Sequence, residues 1–153
     1  MNDWEQDIFL LLRDYRIGFL STQGKYGPET SMAPFALYED SILLHLSTLA
    51  RHTANLAAHP AAGFMICTPE TSMESPLALP RLSIQGVVSP LADDALATAK
   101  ESYLQAVPEA GVLFGFADFR LYALIPAHLH WVGGFGSARE ISLAAWRKTR
   151  SGT

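Results

Sequence analysis

The chain has 153 residues, 49% of them hydrophobic and only 17% charged, with a formal net charge of −4. That length suits one domain with a real core, residues 1–153 together, and is short for two. The negative net charge argues against a sequence-independent grip on DNA or RNA, which needs a basic face, but not against a small local anion site. The apolar runs, Ile8 to Leu12 and Ile42 to Leu46 among them, are too short to span a bilayer. The single cysteine, Cys67, excludes an intrachain disulfide and lies in an apolar run, as a buried inert thiol would. Asp3, Glu5 and Asp7 stand where a signal peptide needs basic residues, so a cytoplasmic protein is expected.

Residues 3–15 read as an amphipathic helix, with Asp3 as N-cap, Gln6 three positions on, and Trp4, Ile8, Leu11, Leu12 and Tyr15 at helical spacing. The period then changes. Ile17 to Thr22 reads as a strand, residues 24–28 as a turn, Glu29 to Leu37 and Ile42 to Leu46 as two further strands. A short helix over 49–58 is closed by His59-Pro60, because proline removes a donor and disfavours helix before it.

Ala61 to Thr68 is a continuous apolar strand, and 69–76 is a polar loop. Residues 79–89 form a strand with Arg81, Ser83 and Gln85 on one face and Leu82, Ile84 and Val87 largely opposite. A helix at 92–106 starts with Asp93 and Asp94, the ordinary placement of acids at a positive helix end. Strands at 119–125 and 129–132 and a weak helix around 141–148 complete the chain. Six or seven strands joined by connections too short for repeated βαβ units predict a mainly β, antiparallel, barrel-like sheet with flanking helices.

The segment from His45 to Pro60 is the chief candidate for chemistry. An apolar strand runs into Ser47 and Thr48, then into a helix whose first turn carries Arg51, His52 and Thr53. No acid occurs between Asp40 and Glu70. Positive charge at a positive helix end is unfavourable unless an anion neutralises both, and phosphate is the usual anion. The plain alternative is a surface helix capped by Ser47 or Thr48, with Leu49 and Leu56 inward and Arg51 solvated.

Pro34, inside a strand, implies either an edge or an interrupted ladder that leaves main-chain groups facing a flat ring. Arg81 opens a strand on its polar face. Gly133-Gly134-Phe135-Gly136 lacks the spacing of a dinucleotide fingerprint and fits a sharp turn or a close backbone approach. The five histidines (45, 52, 59, 128 and 130) form no metal-ligand pattern, so no metal site is expected.

Taken together, these segments resemble the split-barrel flavoproteins related to pyridoxamine 5'-phosphate oxidase. The run from Ser47 to Leu56 is especially similar to the branch containing bacterial haem-utilisation proteins. Ala33-Pro34-Phe35, Met65-Ile66, Arg81-Leu82, Asp118 to Tyr122 and Val132 to Ala138 also carry the resemblance, which covers roughly residues 8–140. It implies a six-stranded antiparallel split barrel, a homodimer, and FMN held at the subunit interface.

By the resemblance Arg51 and His52 are phosphate-binding, with Ser47, Thr48 and Thr53 adding hydroxyls. Met32, Ala33 and Pro34 offer backbone to the flavin ring, and Arg81 reaches the flavin. An FMN-dependent oxidoreductase acting on a small-molecule substrate or electron donor is therefore the leading expectation. A haem-binding or haem-degrading protein on the same fold and a non-catalytic flavin-binding module are the alternatives. Haem-degrading relatives use a C-terminal histidine as iron ligand, whereas His130 is the last histidine here. The C-terminal segment also does not reproduce the Arg-rich stretch of the vitamin B6 oxidases.

Overall fold

The computed structural model describes residues 2–71, 75–134 and 137–151. Helix α1 (Asp3–Asp14) leads into β1 (Ile17–Gly24), β2 (Gly27–Tyr38) and β3 (Ser41–Ser47), followed by α2 (Arg51–Ala58) and β4 (Ala61–Cys67). After them come β5 (Arg81–Pro90), α3 (Leu96–Ala106), β6 (Phe119–Val132), β7 (Ala138–Ile141) and α4 (Leu143–Ser151). The sheet order is β3-β2-β1-β4-β5-β6-β7, and β3 also pairs with β6, which closes six antiparallel strands into a barrel. The expected fold class is the one observed.

The core explains the strand patterns. Leu20, Phe35, Leu44, Phe64, Ile66, Leu82, Ile84 and Trp131 fill the barrel. A second cluster, with Leu43, Ala99, Tyr103, Val107 and Leu121, lies where α3 packs on the outside. β3 is thus covered on both faces, which is why its apolar run from Ile42 to Leu46 shows no alternation. β1 and β5, with one face outward, alternate residue by residue.

Several sequence expectations shift. Asn2, not Asp3, precedes the first helical turn, and its backbone N–H donates to the Glu5 carboxylate at 2.7 Å. β6 is one strand rather than two: Pro126 is accommodated by a bulge opposite Gln85 and Gly86, where Ala127 is left over. Val87 points outward with Arg81, Ser83 and Gln85, as strict alternation along β5 requires. The helix expected from residue 92 begins as a short 3₁₀ turn over Asp93–Ala95. In the polar loop, residues 72–74 lie outside the described residues, and Pro76–Ala78 form a 3₁₀ turn. Phe135 and Gly136 also lie outside them. Gly133 makes the close approach expected of it, since a Cβ there would sit 2.7 Å from Trp131 Nε1.

Pro34 marks a fork. Residues 27–34 of β2 pair with β1, and residues 35–38 pair with β3. Among the described residues, the first half of β2 has β1 as its one strand neighbour. The strand neighbour on its other side begins at Phe35, so the ladder is interrupted as Pro34 implies, and Glu29 and Ser31 on its inner face meet α2.

Candidate functional site

β1, the first half of β2 and the start of α2 form one cleft. A cavity of about 330 Å³ lies there, lined by Thr22, Glu29, Thr30, Ser31, Arg51 and His52. The turn from β3 into α2 is held by its own hydroxyls. Ser47 donates to Asp118 at 3.0 Å and accepts the Leu49 N–H at 3.1 Å. Thr53 is buried and donates to the Ser47 carbonyl at 2.5 Å. Both hydroxyls are thereby committed to the turn, whereas Thr48 is exposed.

Neither Ser47 nor Thr48 caps α2. Ala50 occupies the N-cap with no side-chain bond, so the first turn of the helix keeps its N–H groups uncapped. The capped-helix alternative is corrected on this point. The cation is not unmatched, however. Arg51 pairs with Glu29 from β2, and Glu29 also accepts from the Asn55 amide at 2.7 Å. Asn55 donates to Thr22 at 3.0 Å as well.

Glu29 is the residue that sequence reading missed. It lies 22 positions before Arg51, and only the pairing of β2 beside α2 brings the two together. The Arg51 side chain remains 84% exposed, so it can turn to an incoming anion.

His52 is half-buried. Its Nδ1 lies 3.4 Å from the Ser31 hydroxyl, and its Nε2 is buried without a hydrogen-bond partner. Burial lowers its pKa, so the ring is neutral at pH 7 and Arg51 is the full cation of the cleft. An orphaned buried nitrogen is costly unless a ligand or water completes it.

The ring-facing candidates divide. Met32 is 57% exposed on the outer face beside Phe19, its cross-strand partner. Ala33 turns into the core, so only its backbone is available. Pro34 is half-buried at the fork. Arg81 does not join the cluster within one chain. It lies on β5, separated from β2 by β1 and β4, and its guanidinium donates to the carbonyls of Leu77 (3.1 Å) and Leu79 (2.9 Å). No group of three or more His, Cys, Asp or Glu suited to a metal occurs among the described residues.

Residues 27–148 match the family model described as CREG, beta-barrel. The chain belongs to that family. This CREG-type barrel is 29% identical over 135 residues to the Heme oxygenase HutZ of Vibrio cholerae, spanning 83% of this chain and 73% of the relative. Among solved structures it is similar to a heme binding protein from Mycobacterium smegmatis, with a TM-score of 0.86 and 28% identity over 96% of this chain. It spans 61% of that longer protein. It is also similar to the HutZ heme storage protein of Vibrio cholerae, with a TM-score of 0.64 and 27% identity, covering 82% of this chain and 92% of that one. These likenesses agree with the split-barrel resemblance and with its haem-utilisation branch. Among the described residues no helix is long and apolar enough to cross a membrane.

Proposed function

We propose that the protein binds haem on its split barrel, as a homodimer, with the β3–α2 cleft holding the acidic edge of the cofactor. The observation that carries this reading is the 29% identity to a heme oxygenase across 83% of the chain. It moves haem ahead of FMN, the first expectation from sequence.

The residues fit such a ligand. Haem is a flat apolar body with two carboxylate arms. Arg51, the uncapped first turn of α2 and the orphaned His52 Nε2 suit a carboxylate, while Met32 and Phe19 offer exposed apolar surface on the outer face of the sheet. In binding, Arg51 exchanges the Glu29 carboxylate for the ligand's, and the Asn55 amide remains as the hydrogen-bond donor to Glu29. Ser47, Thr53 and Asp118 hold the turn that presents Arg51 and His52. Bound haem supplies a redox-active iron, and the protein supplies binding and orientation.

The split-barrel resemblance has Arg81 reach the cofactor, and a cofactor held between two subunits gives Arg81 that access from the second copy. The exposed apolar residues Ile17, Phe19, Met32 and Val87, all on the outer face of the sheet, support such an interface.

The same cleft could take the phosphate of FMN, so the test compares the two. Haemin titration followed by the Soret band is expected to saturate with the wild-type protein. Arg51→Met should weaken it by about tenfold or more, the loss of one charge-assisted contact. Unchanged haemin affinity in Arg51→Met would remove the cleft from the binding site.

A further inference from the structure

A second cavity, of about 460 Å³, lies on the opposite side of the β3–β6 pair, between α3 and the start of β6. Its volume falls within the ~300–1,000 Å³ typical of small-molecule sites. The walls are apolar, formed chiefly by Leu91, Leu96, Phe114, Phe119 and Leu121. Two cations stand on them, Lys100 and Arg120, against one acid, Asp93. No ion pair involves either cation among the described residues. The Lys100 ammonium instead rests 5.0 Å from the centre of the Phe114 ring.

Behind Phe114 lies a feature that packing alone does not explain. The His45 ring stacks on Phe114 at 4.0 Å and 17°, and touches Tyr103 and Phe119 edge-on or tilted. It is 9% exposed, and neither ring nitrogen has a hydrogen-bond partner. A leucine would fill the space without the desolvation cost of two unpaired nitrogens. The imidazole supplies a flat support that fixes the Phe114 wall, with an unused donor and acceptor beside the cavity.

We propose that this cavity binds a small organic acid with a flat apolar body, its ring against Phe114 and Phe119 and its acid group at Lys100 and Arg120. The site is separate from the β3–α2 cleft and does not depend on the haem reading. An apolar slot with two unmatched cations at its wall selects an amphipathic anion over a neutral ring or an aliphatic cation.

The probe is anilinonaphthalene sulfonate, titrated by fluorescence into the wild-type protein, the double variant Lys100→Met/Arg120→Met, and Arg51→Met. Lys100 and Arg120 are exposed, so both replacements leave the core intact. The double variant should lose affinity by about tenfold or more, the loss of charge-assisted contacts, and by more than Arg51→Met does. The uncharged anilinonaphthalene should bind weakly to wild type and equally to the double variant. On saturation the His45 ring signals should shift in an NMR spectrum. Loss of binding in Arg51→Met with none in the double variant would overturn the proposal, as would an unmoved His45 signal.

Discussion

At the scale of single residues, charge placement decides what the cleft can do. The stretch from Asp40 to Glu70 contains no acid between its ends, and reading along the chain leaves Arg51 unmatched. The fold supplies Glu29 instead. That reverses one inference and sharpens another: the resting cleft is neutralised internally, so an anionic ligand competes with a carboxylate already present. Glu29→Gln should therefore tighten haemin binding by about two- to fivefold, the scale of an exposed ion pair, as read from the Soret titration. Weaker binding would mean that Glu29 positions Arg51 rather than competing for it.

His45 gives a second prediction. Burial pushes its pKa down to about 4 from an ordinary 6.5. The unfolded chain then binds the proton more readily than the folded one, so stability falls as pH drops from about 6.5 toward 4. Thermal unfolding across that range should show His45→Phe with a flatter pH dependence than wild type. Parallel curves would contradict the assignment. The sequence offered His45 only as one of five histidines. Its aromatic neighbours come from α3, residues 113–115 and β6, far along the chain, so nothing local announced them.

At the scale of elements, the strands and helices were legible because their periods were clean. The helix near 3–15, the strand pair at 17–37 and the proline-closed helix before residue 60 follow directly from spacing and turn chemistry. Where pairing rather than pattern decides, the reading slipped. The sequence pattern gives separate strands at 119–125 and 129–132, but a bulge carries β6 past Pro126 as one strand. Pro34 signalled an interrupted ladder, though only the register shows that β2 changes partner there, from β1 to β3.

The bulge also explains Gly86. A Cβ at that position would lie 2.1 Å from the Ile125 carbonyl oxygen, which is backbone and cannot swing aside. Gly86→Ala should cost about 1–3 kcal/mol, measured by denaturant unfolding, as overpacking of a tight site does. A neutral effect would show that β6 relaxes freely there.

At the scale of the whole molecule, the closed barrel leaves one outer sheet face unusually apolar. Ile17, Phe19, Met32, Val87 and Ile125 are each about half exposed on it. Composition hinted at this through low charge and high hydrophobicity, but not at which residues would carry it. If a second copy covers the face, Phe19→Lys should yield a folded monomer where wild type sediments as a dimer. A monomeric wild-type protein would contradict the interface.

Arg81, at the start of β5, is held to the carbonyls of Leu77 and Leu79 in the loop before it, and β1 and β4 separate it from β2 within one chain. The choice of cofactor also belongs to this scale. Sequence motifs described an anion site and left the rest of the ligand open, since Arg51, His52 and an uncapped helix start serve a phosphate and a carboxylate alike. Kinship to haem proteins, rather than any one residue, tips the balance.

The most direct measurement is a competition: wild-type protein equilibrated with equal haemin and FMN, separated from free ligand, and examined by absorbance. Haem binding in the cleft predicts a Soret band with little flavin absorbance, and the band should shrink in Arg51→Met. A flavin spectrum without a Soret band would contradict it.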